Sequence, residues 1–189
     1  MKFKRLLKPR ALVVLAMLTA LQVVLSRFLS IQTPIFKIGL GFLPVMFAGA
    51  LCGVWGGAIV GGLSDFLGAM LFPSGAYFPG YTITALLSGA IYGALLYENH
   101  NIVRIVLAYL ITGIAVTLGL NTFNIAFQYG YLLVEAEGRD FANVWTKFAA
   151  TLPTRVTQAV GMFVVQTVVT YLILEVAALD KRVKTIIHI

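Results

Sequence analysis

One apolar stretch of the sequence limits the possible folds more than any other feature. Between Gly39 and Phe72 the only charged residue is Asp65. As a continuous α-helix this stretch would be about 50 Å long, whereas the hydrocarbon core of a membrane is about 30 Å thick. It must therefore break, and the Gly-Val-Trp-Gly-Gly sequence at residues 53–57 is the obvious position. Glycines recur here every four residues, at 49, 53, 57 and 61, which lets helix backbones approach closely.

The composition indicates an integral membrane protein. Of the 189 residues, 60% are hydrophobic and only 11% are charged, whereas soluble domains carry about 25% charged residues. Six spans of roughly 20 residues would use about 120 residues and leave short loops. We therefore predict an all-α protein, a single domain over residues 1–189 that forms a bundle of six transmembrane helices. The predicted spans cover residues 9–29, 40–53, 56–72, 80–97, 102–134 and 152–179, with a loop at 30–38 and a polar segment at 135–151.

The distribution of positive charge predicts the topology. The net charge is +7, and a basic balance of this size also occurs in proteins that bind nucleic acid. Here, however, basic residues precede the first span and follow the last, as is typical of cytoplasmic segments. An even number of spans places both termini on that side. We therefore predict cytoplasmic termini, a multi-pass location in the cell membrane and no nucleic-acid partner.

Polar residues inside the predicted spans are costly and are functional candidates by default. With the predicted topology an aromatic loop before span four lies on the outer side, and the outer half of the membrane also holds Arg27, Asp65, Asn124, Gln128, Arg155 and Gln158. In span five their spacing puts four of them on one face of an α-helix. Together they indicate an outward-facing pocket for a polar, aromatic and anionic small molecule. The residues are Arg27, Ser64 and Asp65, the span-five set Thr117, Asn121, Asn124 and Gln128, then Arg155 and Gln158, and the aromatic Tyr77, Phe78 and Tyr81.

Each of these groups also has a purely structural interpretation. The two arginines could extend to the outer interface, and Asp65 could form a buried ion pair with one of them. The polar face of span five could join helices by hydrogen bonds, and the aromatic residues could belong to an interfacial belt. A structural or assembly membrane protein is therefore the main alternative to a binding protein.

The sequence contains no catalytic or metal-binding signature. It lacks a phosphate-binding loop and an H-E-x-x-H motif, and its two histidines, His100 and His188, have no partner ligands. The single cysteine, Cys52, excludes a thiolate metal cluster. We therefore expect no enzyme activity, no cofactor and no metal. A pocket in a chain that cannot hydrolyse nucleotide predicts a binding subunit that depends on a partner for energy.

Five segments carry a resemblance to a known family. They are GFLP at 41–44, GGLSDFLG at 61–68, YFPGYTIT at 77–84, LNTFN at 120–124 and LPTRVTQ at 152–158. In order and spacing they resemble the S components of energy-coupling factor (ECF) transporters, and most closely the folate-specific S component. The resemblance implies a prokaryotic subunit that captures folate outside the cell and docks on a membrane T component with two cytoplasmic ATPases. S components for pantothenate, a queuosine precursor, riboflavin or thiamine are the alternatives within the family.

The resemblance also implies roles for particular residues. The loops at 30–38 and 72–79 would close over the pocket, and the small residues Ala16 and Ala20 of span one would face the T component. Asp65 would bind the amino and N–H groups of the pterin edge, while the cationic side chains would bind carboxylates or the ring carbonyl. The expected ligand-binding set is Arg27, Lys37, Ser64, Asp65, Tyr77, Phe78, Tyr81, Thr84, Asn121, Asn124, Gln128, Arg155 and Gln158.

Overall fold

The computed structural model describes residues 8–32, 37–73, 77–97, 101–132 and 141–179, and the side chains of all of these except 32, 37, 38 and 174–179. The helices are α1 (Pro9–Arg27), α2 (Phe42–Leu71), α3 (Pro79–Leu96), α4 (Ile102–Leu132) and α5 (Phe141–Leu179). All five are long and apolar enough to cross a membrane. The prediction of an all-α membrane protein is therefore confirmed in its main architecture. Both chain ends lie outside the described residues, so the side on which they lie stays a prediction.

A short hairpin occupies the segment that the sequence predicts as the first loop. The strands β1 (Ser30–Gln32) and β2 (Lys37–Gly39) pair antiparallel, with Ser30 opposite Gly39. The Ser30 hydroxyl donates to the carbonyl of Ser26 in the last turn of α1. These bonds satisfy backbone groups where the chain leaves one helix and approaches the next.

Helix α2 breaks at Gly53, within the stretch where the sequence predicts a break. Gly53 has a φ of 71°, a left-handed conformation that glycine adopts without steric cost. A Cβ on Gly57 would lie 3.1 Å from the Cα of Gly49, and a Cβ on Gly61 would lie 3.4 Å from the Cγ1 of Val45. In a straight helix these pairs would be about 12 Å and 24 Å apart. The chain therefore reverses at Gly53, and α2 consists of two antiparallel arms, 42–52 and 54–71.

Small residues let α3 pack directly onto both arms of α2. A Cβ on Gly57 would overlap the carbonyl oxygen of Gly89, and a Cβ on Gly61 would overlap that of Ala85. A Cβ on Gly49 would lie 2.7 Å from the backbone nitrogen of Gly93. Lipid tails give helices no hydrophobic reason to associate, so close backbone contact of this kind holds the bundle together. The predicted role of the four-residue glycine spacing is thus found in the α2–α3 contact.

Helix α4 is not α-helical along its whole length. Residues Thr112–Asn121 and Gln128–Leu132 are π-helical, and the stretch between them, Thr122–Phe127, is α-helical. A π-helix bonds residue i to i+5, so each residue turns the chain through a smaller angle than in an α-helix. The four polar residues predicted for span five therefore extend over both kinds of winding.

Helix α5 begins at Phe141, well before the predicted start of span six near residue 152. The sequence predicts a polar segment at 135–151, because polar and charged residues recur there, and the start of span six at residue 152. In the structure Pro153 lies inside the helix. Packing explains the extension: Val144 is fully buried, and Gly130 of α4 lets the two backbones meet, since a Cβ there would lie 3.1 Å from the Cα of Val144. Contact with α4 thus outweighs the local preference of proline.

Candidate functional site

A cavity of about 270 Å³ lies among all five helices and the turn before α2. Most of its polar groups come from α4 and α5, and the rest from α1, α2 and α3. Phe42, Val45, Met162 and Phe163 supply apolar surface. This mixture of apolar walls and a few convergent polar groups is typical of small-molecule sites. The polar lining residues are Gln22, Ser26, Asp65, Ser88, Tyr92, Tyr109, Thr112, Thr117, Asn121, Arg155, Gln158 and Gln166.

Arg155 is the buried cation of the cavity. Only 7% of its surface is exposed, and its Nη1 donates to Oε1 of Gln158 at 3.0 Å. Its Nε is also buried and has no hydrogen-bond partner among the described residues. A buried guanidinium is costly unless its donors are satisfied, and a bound anion would satisfy them. The geometry therefore suits an anionic or carbonyl group of a ligand.

Asp65 lines the same cavity from α2. Its Oδ2 accepts a hydrogen bond of 2.8 Å from the hydroxyl of Thr82, which also lies 3.0 Å from the hydroxyl of Tyr77. No ion pair joins Asp65 to Arg155 in the part of the chain that the structure describes. The two opposite charges therefore remain available to different groups of a ligand.

Asn121 is held from behind by Thr84. The Thr84 hydroxyl lies 2.8 Å from Oδ1 of Asn121 and also 2.8 Å from the carbonyl of Tyr81. Thr84 is 4% exposed and does not line the cavity, whereas Asn121 does. The Thr84 hydroxyl shares its single proton between these two acceptors, so Oδ1 is the end of the Asn121 amide turned toward Thr84, and the amide nitrogen is left to donate to a ligand.

The polar face predicted for span five divides into two pairs. Thr117 and Asn121 line the cavity, but Asn124 and Gln128 are buried against α3. The hydroxyl of Tyr81 donates to Oε1 of Gln128 at 3.0 Å, and a Cβ on Gly80 would lie 2.7 Å from Oδ1 of Asn124. Asn121 also contacts α3, through Thr84, so Asn121, Asn124 and Gln128 share the side of α4 that packs against α3, and only the first of these three lines the cavity.

The predicted aromatic residues form a cluster at the start of α3. Phe78 contacts the rings of Tyr81 and Phe127 at centroid distances of 5.9 and 6.1 Å. Tyr77 meets Phe66 edge-on at 6.1 Å. None of these five side chains lines the cavity as the structure describes it. They pack the end of the bundle beside Asp65 and Gln128.

Two further predicted residues, Arg27 and Ser64, do not line the cavity either. Arg27 is half-buried over Gly68 of α2, where a Cβ would lie 2.9 Å from its Nε. Ser64 is 1% exposed, and its hydroxyl donates to the carbonyl of Gly61 in its own helix at 3.1 Å. Lys37 belongs to β2, and its side chain lies outside the described residues. Of the predicted binding set, the structure brings together Asp65, Asn121, Arg155 and Gln158.

Sequence reasoning missed several lining residues. Gln22 and Ser26 of α1 lie four residues apart, and Gln166 of α5 continues the face of Gln158 after two helical turns. This spacing along one helix face was the sequence signal that could have identified them. Tyr92 and Tyr109, whose rings are 5.3 Å apart, bear no such mark, because aromatic residues in apolar helices are usually core. Among the described residues, no group of three or more His, Cys, Asp and Glu side chains could hold a metal ion.

A second, apolar groove lies between α1 and the arm 54–71 of α2. Its volume is about 590 Å³, and Ala16 and Ala20 both line it and are exposed. Leu63 and Leu67 form part of the opposite wall. The two alanines thus lie on the surface, away from the polar cavity.

Comparisons with known proteins give the family. The family model described as ECF transporter, substrate-specific component, matches residues 10–174. The folate transporter FolT of Clostridium novyi is 44% identical over 116 residues, which cover 61% of this chain and 67% of that protein. FolT of Leuconostoc mesenteroides is 28% identical over 183 residues, covering 95% of this chain and 92% of its own length. A crystal structure of FolT bound with folic acid matches with a TM-score of 0.73 and 30% identity, over 86% of this chain and 90% of that one.

The family model covers nearly the whole apolar part of the chain, and the fold of a solved FolT extends over most of the helices described above. Sequence and fold therefore agree on one assignment. The chain belongs to the family of the substrate-specific components of ECF transporters.

Proposed function

We propose that this protein is a folate-binding S component, which captures folate from outside the cell for ATP-driven import through an ECF module. The observation that carries the proposal is the cavity itself. It combines a buried guanidinium with unused donor capacity and a separate carboxylate, in a chain related to proteins named folate transporter. Folate carries both complementary groups, namely anionic carboxylates and a ring edge with amino and N–H donors.

Arg155 and Gln158 are assigned to a carboxylate or to the ring carbonyl of folate. A guanidinium donates two parallel hydrogen bonds to a carboxylate, and Gln158 is already bonded to Nη1, which orients the side chain. Asp65 is assigned to the amino and N–H edge of the pterin, because an ionised carboxylate only accepts hydrogen bonds. The amide nitrogen of Asn121 complements it with a donor.

The remaining predicted residues support the site from outside the cavity. Thr84 orients Asn121, and Tyr81 orients Gln128. Lys37 comes two residues before Gly39, which lines the cavity, and this position is suited to a contact from the hairpin. Arg27, Ser64, Asn124 and the aromatic pair Tyr77 and Phe78 are assigned to the layer of side chains that packs around the cavity.

The transport function requires a defined topology. The reversal of α2 at Gly53 supports six membrane crossings, with both termini in the cytoplasm of a prokaryotic cell. A membrane T component and two cytoplasmic ATPases would supply the energy. The exposed alanines Ala16 and Ala20, in the groove between α1 and α2, are assigned to the T component.

The first experiment is identification of the bound ligand. The purified protein should release a compound with the absorbance and mass of a pterin, and calorimetry should detect folate binding. Pantothenate, riboflavin and thiamine serve as comparison ligands at the same concentration. Tight binding of one of these instead of folate would reject the specificity, and binding of none of the four would reject all four compounds as the ligand.

A further inference from the structure

Gly113 differs from the other glycines that line the cavity. A Cβ on Gly61 would overlap the carbonyl of Ala85, and a Cβ on Gly41 would lie 3.3 Å from Nε2 of Gln22. A Cβ on Gly39 would lie 2.5 Å from the Cβ of Ser30. Close packing thus explains the absence of a side chain at these three positions. At Gly113, by contrast, a Cβ would meet no atom within 4 Å among the described residues.

Packing therefore does not account for Gly113, and neither does helix formation. Glycine is the least favourable residue in a helix interior after proline, yet Gly113 lies inside α4 at the start of its π-helical stretch. It is half-buried and lines the cavity between Thr112 and Thr117. What its missing side chain provides is space inside the cavity.

The position of Gly113 along the cavity shows which end of the cavity this space enlarges. Tyr109, Gly113, Thr117 and Asn121 recur every four residues along α4 and all line the cavity. Asn121 contacts Thr84, and Asp65 accepts from Thr82, two residues earlier in α3, so Asn121 marks the end that holds the carboxylate. Tyr109 marks the aromatic end beside Tyr92. Gly113 is one turn from Tyr109, so a side chain there would shorten the cavity from its aromatic end.

We propose that Gly113 is a size-determining position of the ligand site, at which the ligand itself occupies the volume that a side chain would fill. The inference rests on the proposed function, because it takes folate as the ligand. In this proposal Gly113 selects ligands by their length, because it leaves space for them and makes no side-chain hydrogen bond to them. A hydrophobic pocket discriminates by roughly 10–200-fold per methylene group of misfit, so one leucine side chain is enough to weaken binding of the cognate ligand measurably.

The chain offers a matched control in Gly161. It also lies inside a helix, α5, and a Cβ there would also meet no atom within 4 Å among the described residues. Unlike Gly113, however, it is exposed and does not line the cavity. Gly113→Ala, Gly113→Leu and Gly161→Leu therefore separate filling of the cavity from the general effect of removing a helical glycine.

The experiment measures affinity for folate, for pteroic acid and for p-aminobenzoylglutamate by calorimetry, with the unfolding midpoint of each ligand-free protein. Gly113→Leu should weaken folate binding at least about tenfold, Gly113→Ala by less, and Gly161→Leu by less than about threefold. Pteroic acid lacks the glutamate of folate, and p-aminobenzoylglutamate lacks the pterin. The one of the two that lacks the group in contact with position 113 should lose less affinity in Gly113→Leu than folate does.

Equal folate affinities of the wild type and Gly113→Leu would overturn the inference. An equal loss for all three ligands, together with a lowered unfolding midpoint, would also overturn it, because the substitution would then act on the fold. Failure of the proposed function appears differently, as a wild-type protein that does not bind folate at all.

Discussion

The hydroxyl of Thr84 and the side-chain oxygen of Asn121 lie 2.8 Å apart, joining α3 to α4 directly behind the cavity. Thr84 belongs to the aromatic-rich segment that starts α3, and Asn121 ends the first π-helical stretch of α4. The bond fixes which end of the amide can meet a ligand. A residue outside the cavity therefore controls the chemistry of one that lines it.

The first prediction tests this bond by Thr84→Val, which keeps the branched shape and removes the donor. Losing a neutral hydrogen bond in a buried place costs about 1–3 kcal/mol. We expect Thr84→Val to bind folate about threefold more weakly or worse, because the Asn121 side chain is then free to rotate and part of the lost free energy appears as lost affinity. Thr146→Val is the control, since Thr146 is exposed and bonds only its own helix, to the carbonyl of Ala142. Equal folate affinities for the two variants would contradict the role of Thr84.

The second prediction concerns Arg155. Removing one partner of a buried charge-assisted contact costs roughly 2–5 kcal/mol, so Arg155→Ala should lose at least about tenfold in folate affinity. Arg155→Lys should also bind weakly, because an ammonium cannot reproduce the planar fork. Arg104→Ala is the control, since Arg104 is exposed near the start of α4 and does not line the cavity. Folate binding by Arg155→Ala within a factor of about three of wild type would remove Arg155 from the site.

The third prediction separates the charge of Asp65 from its shape. Asp65→Asn keeps an oxygen that can accept from Thr82, but it replaces the second acceptor by a donor. Facing a ligand edge that also donates, the new amide should weaken folate binding at least about tenfold. Calorimetry on purified protein measures this directly. Full-strength binding by Asp65→Asn would mean that Asp65 serves the helix contact with Thr82 and not the ligand.

The sequence predicts the membrane class, the break near Gly53 and the polar nature of the site because these depend on composition and local conformation. It fails where packing between helices decides which polar side chains reach the cavity and where a helix begins. The spacing of Asn124 and Gln128 predicts side chains that face a ligand, but α3 packs against them and Tyr81 bonds Gln128. Likewise the polar segment at 135–151 predicts no helix before span six, yet packing of Val144 accompanies a start of α5 at Phe141. The spacing of Gln22 with Ser26 and of Gln166 with Gln158 was a signal for these residues, but a neutral amide in an apolar helix is weaker evidence of a site than a charged side chain.

The fourth prediction tests the contact between α2 and α3. Gly57→Ala would place a Cβ onto the carbonyl oxygen of Gly89, so the two backbones must separate. Such overpacking costs about 1–3 kcal/mol, and the thermal unfolding midpoint of the detergent-solubilised protein should fall. Gly62→Ala is the matched control on the same arm, because its Cβ would lie 3.5 Å from the Cβ of Leu86, an ordinary contact. An unchanged midpoint for Gly57→Ala would show that the helices do not depend on this close approach.

The last prediction concerns coupling to the partner subunits. Ala16 and Ala20 line the apolar groove on the surface of α1 and α2, whereas the ligand cavity contacts α1 through Gln22 and Ser26. The double variant Ala16→Trp with Ala20→Trp should therefore leave folate binding by the isolated subunit within about threefold of wild type. Membrane helices need small residues for close approach, so the same variant should abolish ATP-dependent folate uptake by the assembled transporter.

Ala115→Trp is the control for the bulk of the new side chains, since Ala115 is exposed on α4 and lines neither the cavity nor the groove. It should retain both binding and uptake. If the double variant loses binding and uptake together, the alanines serve the fold of α1. If it retains uptake, α1 does not form the docking surface, and the groove between α1 and α2 faces lipid.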